Sequence, residues 1–409
     1  MVGSDRQALN VIYDTAVDGL ALETDLCSSC NKASAFNTTT SSSYQRVGTG
    51  SYNIAEDFPY YNKTSSYNAT ETVYLTYPSI RADGFPFYAI TSQVGKDFDE
   101  VDGVLGFARQ KSYDNNPLYM EKVKSTGHVS KQQISFYMGA LNGTNYVDVG
   151  AYQNSSMKNG TDAGIAWFDQ FKDGFFWEFK AVQGVQFGFG KYTATGLTAG
   201  YQYGYNLEAP AIVSTGNALI RAPYGLGYEL QLRMSIGLEH YYDPESGVML
   251  VNCNEKTWYQ DFSLWIDDYE FEVLVDDYFL SLNDMLGKDA SKEYEDVCML
   301  GIVDDAKSSY WVLGDVFLRG YYTILDNDDH AAAKMGIKPH SGSEKYNVEK
   351  TRLPVESLEN LLWELTWLAQ IFPPSSPLSI ISWLFGSVWV WLFGIYEWEG
   401  TFEVSVTIN

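Results

Sequence analysis

Over residues 1–337, short β-type runs, rich in apolar and β-branched residues, alternate with turns of Gly, Asn and Asp. Ala8 to Tyr13, Thr72 to Thr76, Gln133 to Met138 and Tyr322 to Leu325 are examples. Runs of four to six such residues, closed by turn residues, predict β-strands, and no long amphipathic helix is visible in this part. The pattern then changes. Between Val355 and Phe372, Leu358, Leu361, Leu362, Leu365, Leu368 and Ile371 recur at helical spacing, until Pro373-Pro374-Ser375-Ser376-Pro377 stops them. Leu378 to Tyr396 carries no charge over 19 residues, and as a helix it would run about 29 Å, the thickness of a bilayer core. The chain closes on Thr401 to Ile408, which alternates strictly with Phe402, Val404, Val406 and Ile408 on one face.

Composition narrows the function. Against 27 Lys+Arg stand 52 Asp+Glu, a formal charge of −25, so a surface built to bind nucleic acid is excluded. Apolar residues make up 45% of the 409 positions, enough for a core, and the length suggests two or three globular units. The Gly, Tyr and Phe content supports a mainly β chain. Cys27, Cys30, Cys253 and Cys298 lack the paired knuckles of a zinc site, and the four His are scattered, so two disulfides in an oxidising compartment are expected, with no metal and no cofactor. Six N-x-[ST] sequons, at Asn37, Asn62, Asn68, Asn142, Asn154 and Asn159, agree with that compartment and predict N-linked glycans. All six precede residue 160, which suggests one glycan-coated face and one left bare for contact. Secretion needs a signal segment, and Met1 leads straight into strand-type sequence, so upstream residues are expected to be missing.

The chain also echoes itself. An apolar run ends in Asp14-Thr15-Ala16, and 92 residues after Asp14 comes Gly106, closing Asp102-Gly103-Val104-Leu105-Gly106. A second run, Ala211-Ile212-Val213, ends in Ser214-Thr215-Gly216, and 100 residues after Ser214 comes Gly314, within Val312-Leu313-Gly314-Asp315. Two copies at nearly equal spacing imply two related lobes. In these stretches, and in Trp311 to Arg319 running on through Tyr321 to Asp326, the chain resembles the pepsin-like aspartic proteases over roughly residues 1–337. That resemblance implies an all-β, two-lobed fold with an N-terminal lobe (1–160), a C-terminal lobe (161–337) and an extension without counterpart (338–409). It also pairs Cys27 with Cys30 and Cys253 with Cys298, and sets Met1-Val2-Gly3-Ser4 in the middle of the family's first strand pair, so that the N-terminal strand is absent.

Peptide hydrolysis in that family uses two carboxylates about 3 Å apart that share one proton, one activating water while the other protonates the scissile carbonyl. Asp14 matches the first position, but Ser214 stands at the second. A hydroxyl does not titrate in the carboxyl range, so the dyad is broken. Ala16 replaces a loop glycine, and Val17 and Asp18 replace hydroxyl residues that support the first Asp. Asp14 then reads as a loop acceptor for backbone N–H groups. Thr15 and Thr215, with Gly216, are retained, and in the family the two hydroxyls brace the centre. Asp102 and Asp315 read as turn carboxylates. Tyr61 is the candidate for the flap tyrosine, although the glycines expected after it are missing and Asn62 begins a sequon.

The expectation is therefore an inactive protease-like glycoprotein, secreted or at the cell surface, acting as a structural, assembly or peptide-binding subunit. The alternative is a membrane-anchored endopeptidase working with Asp14 alone. For the extension three readings stay open: residues 378–396 cross a membrane, residues 355–396 form a helical hairpin that packs on another protein or a second copy, or the hairpin folds back on its own domain. The strand at 401–408 could then complete a sheet in the next copy.

Overall fold

Backbone hydrogen bonding turns many of the short β-type runs into paired strands. A computed structural model describes residues 1–30, 35–48, 64–76, 80–94, 101–109, 117–139, 143–172, 174–193, 196–235, 237–286, 296–306 and 308–349. Strands dominate, and the longest helix among the described residues is Leu226–Met234. The mainly β expectation is met, and the fold is consistent with the two-lobed pepsin-like architecture.

The described residues form two compact units that interleave along the sequence: those within 1–179, 212–218 and 312–344 make one, and those within 180–211, 219–311 and 345–349 the other. The first unit takes in 212–218 and 312–344 besides residues 1–179.

In the first unit, a six-stranded sheet has the order Val11–Asp14, Gly103–Gly106, Leu20–Glu23, Ile80–Gln93, Thr64–Thr76, Gln45–Arg46. Leu20, Ala21 and Leu22 are buried, as are Phe85, Phe87, Ala89 and Ile90 on the neighbouring strand. Burial on both faces explains why these runs read as nearly continuous apolar stretches. The first strand begins at Val11 and not at Ala8, because the Asn10 N–H is taken by the Asp102 carboxylate at 2.7 Å. A five-stranded sheet of the same unit has the order Tyr146–Val149, Gln133–Tyr137, Tyr321–Asp326, Lys334–Pro339, Ala166–Asp169.

In the second unit, Val182–Phe187 pairs antiparallel with Phe262–Ile266, which pairs with Tyr269–Val273 and through it with Asn347–Glu349. Ile220–Pro223 lies parallel to Ile302–Asp305, and the Leu226–Met234 helix starts where the Gly227 N–H meets Asp304 Oδ1 at 3.0 Å. A four-stranded sheet runs His240–Asp243, Val248–Asn252, Val297–Leu300, Phe279–Ser281.

No helix among the described residues is long and apolar enough to cross a membrane. The apolar segment 355–396 and the strand expected at 401–408 lie outside the described residues.

Candidate active site

Asp14 ends the Val11–Asp14 strand, which runs parallel to Gly103–Gly106 with Asp14 opposite Gly106. Its carbonyl accepts from the Phe107 N–H at 2.8 Å. The spacing of 92 residues in the sequence thus becomes one ladder rung. Gly106 is required by close approach, since a Cβ there would stand 2.1 Å from the Val17 carbonyl oxygen. Tyr13, edge-on to Phe107 at 5.4 Å, has its hydroxyl pushed up from the usual phenol range by burial.

The second loop is braced in the same manner. Ser214 N–H donates to Leu313 O at 3.2 Å, Asp315 N–H to Asn217 O at 2.7 Å, and Val316 N–H to Ala218 O at 3.1 Å. Both turn carboxylates have structural partners: Asp102 holds the Asn10 N–H, and Asp315 meets the Arg319 guanidinium.

Thr15 and Thr215 join the loops reciprocally. Each backbone N–H donates to the other's hydroxyl oxygen at 3.2 Å. Thr15 Oγ1 in turn donates to Val213 O at 2.8 Å, and Thr215 Oγ1 to Tyr13 O at 2.6 Å. Each hydroxyl thus donates its proton and accepts one N–H between the two loops, tying them together.

Between them, Asp14 and Ser214 are fully buried. The Ser214 hydroxyl donates to Asp14 Oδ1 at 2.9 Å, and the same oxygen accepts the Ala16 N–H at 2.9 Å. Asn217 Nδ2 donates to Ser214 Oγ at 2.8 Å. A line of hydrogen bonds therefore runs from Asn217 through Ser214 to the Asp14 carboxylate, which accepts. The one Ser214 proton is committed to Asp14, and one lone pair of its oxygen to Asn217. Asn217 was not among the sequence candidates; its signal is an amide three residues after Ser214, in the same turn. Ala16 and Val17 pack with Ala21, Tyr88, Ile90 and Val104 in the core behind the loop.

Both disulfides form, Cys27–Cys30 and Cys253–Cys298, with Cα separations of 5.5 and 5.0 Å. They suggest passage through the secretory pathway. Of the sequons, Asn68, Asn154 and Asn159 are exposed, while Asn37 is half-buried with its Oδ1 accepting from the Thr39 hydroxyl at 2.7 Å. Asn62, Asn142 and Tyr61 lie outside the described residues. Among the described residues, no group of three or more His, Cys, Asp or Glu is placed to hold a metal ion.

The family pattern for eukaryotic aspartyl proteases matches residues 1–335, across both braced loops. The chain belongs to this family. Gastricsin from Homo sapiens is 25% identical over 341 residues, covering 80% of this chain and 77% of that protein. Cathepsin D from Dictyostelium discoideum is 24% identical over 335 residues, covering 80% and 79%. A vacuolar aspartic protease from Candida albicans is 25% identical over 355 residues, covering 83% and 73%.

Proposed function

We propose that this aspartyl protease homologue does not cleave peptide bonds by the paired-carboxylate route, and that it serves as a glycoprotein that holds protein partners, as a structural, assembly or peptide-binding subunit. The observation that carries the reading is the 2.9 Å hydrogen bond from Ser214 to Asp14 Oδ1. Aspartic proteases depend on two carboxylates sharing a proton because two like charges that close cannot both ionise. Ser214 supplies a proton that it cannot release in the working pH range, so the general acid and the general base are not both present.

The surrounding braces support retention of the scaffold. Buried polar groups in a network are costly when unmet, and here Thr15, Thr215, Ser214 and Asn217 each have partners. Sequons exposed at Asn68, Asn154 and Asn159 support a glycosylated surface, and the segment beyond residue 350 is the route proposed for contact with partners, with a second copy or with a membrane.

Digestion of denatured protein at acid pH, with wild type beside Asp14→Asn, tests the reading. The expected result is no cleavage above background in either. Cleavage by wild type that disappears in Asp14→Asn would replace the proposal with a single-aspartate endopeptidase.

A further inference from the structure

The four-stranded sheet of the second unit ends on the His240–Asp243 strand, which pairs antiparallel with Val248–Asn252. Tyr241 lies within that edge strand and is 65% exposed. Among the described residues its hydroxyl has no hydrogen-bond partner. Tyr242 is turned to other uses, with its ring 4.5 Å from that of Tyr228 and its hydroxyl donating to Asp304. Acids flank the exposed phenol. Glu239, Asp243 and Glu245 all fall within four positions of Tyr241, and no Lys or Arg occurs between Arg233 and Lys256. The Ser246 hydroxyl first, and the Glu245 N–H after it, hold the Asp243 carboxyl below its ordinary value of 3.8, so it stays ionised in mildly acidic medium. Pro244 and Gly247, the latter at φ +71°, turn the chain back at once. Phenol and carboxylates therefore share the end of one hairpin. Other exposed tyrosines lack a part of this arrangement. Tyr146 and Tyr346 spend their hydroxyls on Ser156 Oγ at 2.9 Å and Glu270 Oε1 at 3.1 Å, and Tyr224 has no acid within four positions.

We propose that Tyr241 is a site of tyrosine O-sulfation. The co-reactant is an adenylyl phosphosulfate, the mixed anhydride that serves as activated sulfate. The phenol oxygen bonds to sulfur, the bond from sulfur to the bridging phosphate oxygen breaks, and the phenol proton passes to a base of the transferase. An enzyme that holds so anionic a donor needs a cation-lined cleft, and such a cleft attracts a tyrosine set among carboxylates. An edge strand can also add to a strand of the enzyme by main-chain hydrogen bonds. The two disulfides point to the secretory pathway, where sulfuryl transfer to tyrosine takes place. The modification is independent of whether the Asp14 centre turns over.

The full chain, produced in secretory cells that contain a tyrosylprotein sulfotransferase and supplied with radiolabelled sulfate, tests it. After enzymatic removal of N-glycans, alkaline hydrolysis should release labelled tyrosine O-sulfate. Electron-transfer fragmentation of the reduced wild-type tryptic peptide 234–256 should put the ester on Tyr241 itself. Tyr241→Phe should be secreted as wild type is and lose the label, while Tyr242→Phe should keep it. Glu239→Gln, Asp243→Asn and Glu245→Gln together should remove most of it. The proposal is overturned by wild type without tyrosine sulfate, by an ester found on another tyrosine, by label that persists in Tyr241→Phe, or by phosphate in place of sulfate.

Discussion

Gly216 lies so close to Asp14 that a Cβ at residue 216 would stand 2.4 Å from the Asp14 Oδ2. The glycine is therefore fixed by the carboxylate in front of it and not by its own backbone angles. Gly216→Ala should destabilise the fold by about 1–3 kcal/mol, the usual cost of forcing a methyl into a packed interior. Urea denaturation read by tryptophan fluorescence measures this. An unchanged midpoint would mean that the loop opens freely around Asp14.

Thr15 and Thr215 exchange equivalent hydrogen bonds at 3.2 Å, and the position in the first loop that corresponds to Gly216 is Ala16, just as Ser214 corresponds to Asp14. Ser214 is shorter than Asp by one carbon and one oxygen. By that symmetry an Asp at 214 is expected to need from residue 16 the clearance that Asp14 has from Gly216, so Ser214→Asp alone should be destabilised and inert. Ala16→Gly combined with Ser214→Asp should recover most of the stability, and this is the variant in which acid proteolysis should emerge. If the single substitution is as stable and as active as the double, the packing argument is wrong.

Thr15 Oγ1 donates to Val213 O and accepts from the Thr215 N–H, and Thr215 mirrors it. Replacement by Val keeps the volume and leaves buried backbone groups unmet, at about 1–3 kcal/mol for each such group. Thr15→Val and Thr215→Val should each be strongly destabilising. Because they act on one network, the double variant should cost less than the sum, by about 0.5–3 kcal/mol. Strict additivity in a double-mutant cycle would show that the two braces work separately.

The strands and the site were legible in the sequence to different depths. Asp14 and Ser214 could be placed because each ends an apolar run and is matched by a glycine-ending segment far along the chain, and the rungs Asp14–Gly106 and Ser214–Leu313 are the physical form of that spacing. Asn217 was hidden because a polar residue in a turn has many uses, and only the fold shows its amide directed at Ser214 Oγ. The interleaving of the two units was also hidden, since short segments such as 212–218 join a unit by three-dimensional contact and carry no compositional boundary.

The two disulfides should differ in their weight. Cys27–Cys30 closes a loop with a sequence separation of 3, while Cys253–Cys298 spans 45. In the chain-entropy account, cross-linking restricts the unfolded state in proportion to the logarithm of loop length, which gives about 2 kcal/mol for the short loop and about 4 kcal/mol for the long one. Cys253 ends in the lead to a short turn and Cys298 in a strand paired with Val251, so the long bridge also ties the Val248–Asn252 and Val297–Leu300 strands together. Replacing Cys253 and Cys298 by Ala together should lower the unfolding midpoint about twice as much as replacing Cys27 and Cys30. Equal losses from the two pairs would show that local packing, and not the length of chain enclosed, governs what each bridge contributes.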